Sequence, residues 1–177
     1  MMTLTLDDAV DPRTRRADFV AAMGNAATGV TVVATDGPAG RFAQTVSAMS
    51  SVSADPPSLL VCVNLRSPLA DAAVRNGVFT VNVLAVDQAH VSDVFAGRAS
   101  GGEVPYQPYD FGCASWRPLE TGAPGLAGAA AVFDCRLAAG HEHGTHRILL
   151  GEVLASSVTA ARPLVHHARA YGAPRPL

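Results

Sequence analysis

A mainly β protein, built as a mostly antiparallel barrel of six or seven strands with about three flanking helices, is the fold that the sequence predicts. Three observations point to it. Short runs rich in β-branched residues recur along the chain, and turn chemistry such as Asp36-Gly37 separates neighbours. The helical segments do not alternate regularly with these runs, as a parallel α/β sheet would require. The 177 residues fit one domain large enough for a continuous core.

The elements follow in order. Asp11-Pro12 marks a helix start, and Phe19, Val20, Met23, Ala26 and Ala27 recur at helical spacing up to Gly29. "GVTVVAT" (29–35) is a short β-branched strand, and "DGPAGR" (36–41) turns it into a hairpin with the serine-rich run "TVSAMSSVS" (45–53). "SLLVCVN" (58–64) is apolar throughout and predicts a strand covered on both faces. Pro68 opens the helix "PLADAAVRN" and Gly77 closes it, because proline suits a first turn and glycine a C-terminal cap. "VFTVNVL" (78–84) is a strand, and Asp87 is placed to cap the helix "DQAHVSDVFAG". Residues 97–128 show no clean period, which in a compact domain marks a functional or mobile connection. "AAVFDCRLAAG", "HRILLGEVLASSV" and "PLVHHARAY" complete the strands.

Composition narrows the function. Apolar residues make up 49% and charged residues 16%, with a net charge of -2, so neither disorder nor a basic nucleic-acid face is indicated. One Trp, three Tyr and six Phe, with scattered Arg, make no stacking platform for single strands. Cys62, Cys113 and Cys135 are widely spaced and odd in number, which predicts reduced thiols in a cytoplasmic protein. No apolar run reaches the roughly 18 to 20 residues of a membrane span, so no membrane partner is expected.

The serine-rich run is the most informative stretch. In a straight strand Thr45, Ser47, Met49, Ser51 and Ser53 share one face, and Val46, Ala48, Ser50 and Val52 the other. Two readings stay open: a solvated outer face, or a groove of small hydroxyls and amides for a polar, phosphorylated ligand. Arg66-Ser67 lies just beyond the next strand and offers a cation and a hydroxyl for phosphate. No Rossmann or Walker fingerprint competes for that role. "HEHGTH" gathers His141, His143 and His146, a pattern that metal sites also use, but no distant Cys or His pair has zinc spacing and no metal site is expected. His146 at a strand start suits a hydrogen-bond donor or proton carrier. With no Gly-x-Ser-x-Gly elbow and no paired carboxylates, a cofactor is left to carry the chemistry.

In this order of segments the chain resembles the short-chain flavin reductases, the reductase components of two-component flavin-dependent monooxygenases. The resemblance spans about residues 15–171 and rests on "FVAAMGNAATGVTVVAT", "TVSAMSSVSADPPSLLVCV", "RSPLADAAVRNGVFTVNVLAVDQAHVSDVFAGR", "GTHRILLGEV" and "PLVHHARAY". It implies an FMN-binding split barrel, an antiparallel Greek-key barrel of six to seven strands with flanking helices, over residues 15–177, with 1–14 as an N-terminal extension. It also implies a homodimer that reduces FMN or FAD with NADH or NADPH and hands reduced flavin to a partner monooxygenase. By this similarity Thr45, Val46, Ser47 and Ala48 lie along the flavin ring and ribityl chain, and Ser50, Ser51 and Ser67, with Arg66 nearby, hold phosphate. Thr28 sits near the ring and Asn82 in the supporting strand, while His146 and Tyr171 are nicotinamide-side or ring-side groups, His146 the catalytic candidate.

The chain departs from the family pattern in four places. Ser47-Ala48-Met49 replaces Asn/Gln-Ser-Phe, Gly144-Thr145-His146 replaces Gly-Asp-His, and Leu69 stands for a threonine. "ASGGEVPYQPYDFGCASW" replaces the segment that usually follows the second helix. The rival functions are a flavin-binding split barrel without reductase turnover, acting as a carrier or non-redox catalyst, and a metal enzyme centred on "HEHGTH".

Overall fold

The computed structural model describes residues 11–98 and 106–175. The helices are α1 (Pro12–Gly24), α2 (Pro68–Asn76) and α3 (Ala89–Phe95). The first six strands are β1 (Thr28–Gly29), β2 (Thr31–Thr35), β3 (Phe42–Val46), β4 (Met49–Ala54), β5 (Pro57–Asn64) and β6 (Val78–Val83). They are followed by β7 (Trp116–Pro118), β8 (Pro124–Leu126), β9 (Ala131–His143), β10 (His146–Val158), β11 (Val165–His167) and β12 (Ala170–Gly172).

Seven strands form the main sheet in the order β3-β2-β6-β9-β10-β5-β4, every neighbour antiparallel. Its two outermost strands, β3 and β4, are consecutive in the chain and joined only by Ser47-Ala48. The serine-rich run is therefore one bent strand whose halves pair with opposite ends of the sheet, and this closes the barrel. Counted so, the barrel has six strands from seven segments, as expected. At the bend the Met49 amide donates to the Ser47 carbonyl (3.1 Å) and the Cys62 amide to the Ala48 carbonyl (3.0 Å). The straight strand expected over 45–53 is thus replaced by a kink, and the face alternation does not carry across it.

The barrel interior is filled by Val33, Val46, Val61, Val63, Phe79, Val81 and Leu149, with Leu69, Ala70 and Ala73 of α2 closing one end. A second cluster on the outer wall packs Val32, Ala34 and Leu84 against Val91, Val94 and Phe95 of α3. The strand covered on both faces is consequently β2, buried along its whole length. β5 alternates instead: Leu59, Val61 and Val63 point inward and Leu60 and Cys62 remain half-buried outside. Its apolar sequence does not distinguish the two cases.

Local signals place α2 as expected, with Ser67 capping Leu69 and Gly77 at φ 71°. The turn after β2 is held from a distance: Asn76 accepts from the Ala39 amide (2.8 Å) and donates to the Gly40 carbonyl (3.0 Å) and the Thr35 hydroxyl (3.1 Å). Asp87 does not cap α3; it lies in a 3-10 turn, Val86–Gln88, that precedes it. Within the connection after α3 the described residues hold the β7–β8 hairpin, missed because its strands are three residues long and carry prolines. Buried Asp134 pins the hairpin turn, accepting from the Thr121 amide (3.1 Å) and hydroxyl (2.5 Å). "PLVHHARAY" is likewise two short strands, β11 and β12, turned at Ala168 (φ 48°) and Arg169 (φ 64°) and joined to β1.

α1 stands off the barrel. Asp11 caps it through the Arg13 amide (2.9 Å), yet Phe19, Val20 and Met23 are 65%, 47% and 51% exposed. It also runs across residue 14, where an extension was expected to end. Among the described residues no helix is long and apolar enough to cross a membrane.

One close approach sets a test of the barrel. A Cβ at Gly151 would lie 2.5 Å from Cζ of Phe79, a fully buried ring with no room to yield. Gly151→Ala lowers stability by about 1–3 kcal/mol in urea unfolding; an unchanged midpoint would show that β10 and Phe79 do not approach so closely.

Candidate functional site

Three cavities lie along this part of the barrel. A groove of about 480 Å³ runs between β3 and the start of α2, lined by Gln44, Asn64, Arg66 and Ser67, with Arg41, Phe42 and Phe111 among its other walls. A hollow of about 280 Å³ lies at the bend itself, between Thr28, Gly29 and Thr31 on one side and Ser47 and Met49 on the other. A third, about 510 Å³, adjoins it through Thr28 and Gly29 and is walled by Val165, His167 and Ala170–Pro174, with Tyr171 among them.

The residues singled out by sequence divide by whether their polar atoms are already engaged. Thr45 is committed: its hydroxyl donates to the Ser92 carbonyl (2.7 Å) and ties β3 to α3. Val46 is buried in the core, and its carbonyl accepts from the Thr31 hydroxyl (2.6 Å), so neither faces a groove. Asn82 is fully buried and donates to the Val32 carbonyl (2.9 Å) and the Thr80 hydroxyl (3.0 Å) while accepting from the Leu126 amide (2.8 Å). It locks β8 onto the barrel wall and has no surface to offer a ligand.

Ser47 and Ala48 are exposed at the bend, where their small side chains leave space. The hydroxyls of Thr28, Ser47 and Ser51, the Gln44 amide and the Arg66 guanidinium make no hydrogen bond or ion pair to other described residues. Ser50 spends its hydroxyl on the Ser51 carbonyl (3.1 Å). Ser50 and Ser51 pair with Leu60 and Leu59, four and five residues along β5 from Asn64, roughly 13–17 Å at the rise of a strand. No described cavity is lined by either of them together with Ser67. Within one chain, then, Ser50 and Ser51 lie apart from Ser67: alternation places residues on a face, but register places them along it.

Arg66 and Ser67 do meet. They lie in the turn between β5 and α2, where the Ser67 amide donates to the Asn64 carbonyl (2.9 Å) and the Asn64 side chain accepts from the Arg66 amide (2.9 Å). The turn thus presents an unpaired cation beside the first turn of a helix, a setting that favours an anion.

His146 is exposed at the first position of β10, paired with Asn64 on β5 and His143 on β9. Its Nδ1 lies 2.9 Å from the Thr145 hydroxyl. That places it beside the Arg66 turn. Tyr171 sits elsewhere, in the hollow next to Thr28, its hydroxyl 2.9 Å from both the Ser92 hydroxyl and the Asp93 carboxylate. Burial, then the hydrogen bond to Asp93, pushes its ionisation upward against the opposing Ser92 contact, so the phenol stays neutral. Within one chain His146 and Tyr171 line no common cavity.

Arg147, which sequence reasoning missed, ties α2 to the barrel. It donates to the Ala70 carbonyl (2.8 Å), Asp71 (2.6 Å) and Glu142, joining α2 to the β9–β10 hairpin. Nothing in its local sequence distinguishes it, since its partners are 76 and five residues away. Glu142 is thereby engaged, and among the described residues no three of His, Cys, Asp and Glu are grouped to hold a metal.

The fold and site define a split-barrel protein whose bend and adjoining anion groove suit a phosphorylated ring ligand. The chain belongs to the family described as flavin reductase like domain, which it matches over residues 23–175. It is 43% identical over 157 residues, 88% of each chain, to FMN reductase (NADH) RutF 2 of Methylorubrum extorquens strain PA1. Among solved structures it resembles nitrilotriacetate monooxygenase component B from Mycobacterium thermoresistibile, with TM-score 0.80 and 28% identity over 93% of this chain and 89% of that one. It also resembles the NADH:FAD oxidoreductase SgcE6 of Streptomyces globisporus C-1027, with TM-score 0.80 and 29% identity over 97% of this chain and 100% of that one.

Neither buried thiol is poised as a nucleophile. Burial, then the charge of Asp110, pushes Cys113 up to about 11, and burial, then Asp134, pushes Cys135 up to about 12. A thiol raised in this way is protonated below its pKa, so at pH 8 only about a thousandth of Cys113, and less of Cys135, is thiolate. Iodoacetamide at pH 8 should leave both unlabelled in the folded protein, read by peptide mass; labelling of either at the rate of free cysteine would contradict the burial.

Proposed function

We propose that this chain is an NADH- or NADPH-dependent flavin reductase that reduces FMN or FAD and supplies the reduced flavin to a partner monooxygenase. The observation that carries this reading is the pairing of a small-residue bend with a groove headed by an unpaired arginine, on a chain of this family. Bound flavin supplies the hydride acceptor and the reduced nicotinamide the hydride, a transfer that passes directly between two ligands.

The chain's own work is positioning. Arg66, Asn64 and Ser67 anchor the flavin phosphate. Ser47 and Ala48 admit the ring without crowding it, and the free hydroxyls of Ser47 and Thr28 meet its polar edge. Thr45, Val46 and Asn82 hold the wall behind it. Tyr171 lends its ring face, since its hydroxyl is spent on α3, and His146 stands on the rim as a donor near the second nucleotide. Orientation of this kind accounts for large rate gains without a protein acid or base.

The active form is a homodimer in this reading. α1 exposes Phe19, Val20 and Met23 with nothing among the described residues to cover them, and β5 turns Leu60 and Cys62 outward. Covering such surface on a second copy is the usual resolution of an apolar helix face left bare. The three free cysteines suit a reducing cytoplasm. The domain takes in the whole of α1 and so begins by Pro12 rather than at residue 15.

Two measurements test the proposal. NADH or NADPH oxidation should depend on added FMN or FAD, and Arg66→Ala should weaken flavin binding about 5- to 30-fold, the worth of a solvent-exposed charge-assisted contact. No flavin-dependent turnover would leave only a carrier, and an unchanged affinity would remove Arg66 from the phosphate site. Separately, replacing Phe19 and Met23 together by Asp should convert a dimer to a monomer in sedimentation velocity; a variant that remains dimeric would place the interface elsewhere.

A further inference from the structure

The wall beside Thr28 is a small sheet of its own. β1, β11 and β12 pair in that order, so β12 is its outermost strand and pairs with β11 alone. The inner part is rooted in the barrel: the Val30 amide donates to the Leu164 carbonyl (3.0 Å) and the Leu164 amide to the Leu84 carbonyl (2.7 Å). β12 has no such root. Its turn with β11 is tied to α1, where the Ala168 amide donates to the Gly24 carbonyl (2.9 Å), but α1 itself stands off the barrel. Among the described residues the side-chain hydrogen bonds that leave β12 are those of Tyr171 with Ser92 and Asp93 of α3. The Tyr171 ring packs on the outer-wall cluster that includes α3, and the hydroxyl fixes the distance. A lone hairpin is marginal in water, so this anchor decides where the wall lies.

The protons of the anchor have one arrangement. A carboxylate accepts and does not donate, so the phenol proton lies on the 2.9 Å bond to Asp93, and the 2.9 Å contact with Ser92 needs the serine's own proton. Ser92 thus donates to Tyr171, and Tyr171 to Asp93. Ser92 is 1% exposed, so without the phenol oxygen its hydroxyl would be stranded. Asp93 also faces Arg98 at 3.3 Å, but that guanidinium is largely exposed and such a pair holds little. The same turn of α3 reaches the bend as well, because the Ser92 carbonyl accepts from Thr45, two residues before Ser47. Resting on the flavin-reductase reading, we propose that Ser92 and Asp93 are positioning residues of the reaction: through the Tyr171 hydroxyl they hold the outer strand of this wall at a set distance from the bend, and so fix the width left for the ligands. Neither residue touches a ligand. Their effect on rate comes through alignment, to which a direct transfer between two rings is sensitive.

The experiment is a double-mutant cycle in the full chain, with Tyr171→Phe, Asp93→Ala and the two combined, and with Asp93→Asn as the conservative variant. A thermal melt verifies that each is folded. With NADH and FMN as substrates, each single variant should lower kcat about tenfold, more than it raises either KM, and the combination should fall no further than the worse single. Asp93→Asn keeps an oxygen that accepts from the phenol, and should restore most of what Asp93→Ala loses. The second readout needs no ligand: amides of β11 and β12 in the free protein should exchange with solvent faster in Tyr171→Phe and in Asp93→Ala, and to the same extent. Losses that multiply in the combined variant, an Asp93→Asn as slow as Asp93→Ala, or a lowered melting point with kcat unchanged would overturn the assignment. If the parent shows no flavin-dependent turnover, the functional reading fails, while unchanged exchange in the single variants would remove the anchor itself; the two failures are thereby distinguishable.

Discussion

The bend at Ser47-Ala48 is the constraint on which the rest depends. An open sheet of seven strands would leave the outer edges of β3 and β4 as rows of unpaired amides and carbonyls, a surface prone to aggregation. Because those two strands are one run of chain, a single bend brings the edges together and the barrel closes. The residues at the bend sit on the outside, where a large side chain would fill the hollow beside Thr28. Closure and access to a ligand therefore make the same demand there, for small side chains.

This demand also sorts the polar groups. Hydroxyls and amides facing inward or toward α3 are consumed by the fold: Thr31 on Val46, Thr45 on Ser92, and Asn82 on three separate partners. A buried polar group without a partner is costly, so each such residue is fully engaged and has nothing left for a ligand. The Ser47 hydroxyl at the bend and the Arg66 guanidinium in the turn after β5 face solvent and are uncommitted. The polarity of "TVSAMSSVS" thus serves structure at Thr45 and leaves a free hydroxyl at Ser47, the ligand contact proposed above.

Much of this was legible in the sequence where the determining interaction is local. α2 was readable because Ser67, Pro68 and Gly77 each act within one turn. β2, β5 and β6 were locatable from β-branched runs, but which of them is covered on both faces depends on α3, a distant element. The bend was hidden because the same alternation describes a straight strand and a kinked one; only pairing with both β2 and β5 decides. The separation of Ser50 and Ser51 from Ser67 is likewise a matter of register, which alternation does not encode. Arg41 with Phe111, and Arg147 with Asp71 and Glu142, come from segments far apart, so no local pattern marked them.

The departures from the family pattern gain meaning from this geometry. Ser47 in place of an amide still leaves a donor at the bend, and Ala48 in place of a serine removes a donor without adding bulk. Met49 in place of phenylalanine lies half-buried, packed against the barrel core and lining the hollow at the bend. Space is preserved at all three positions, although some hydrogen bonding is given up. For a direct hydride transfer this is the tolerable kind of change, since alignment of two rings contributes more than any one contact to their edges. A substitution that enlarged residue 47 would fill part of the hollow proposed above to admit the ring.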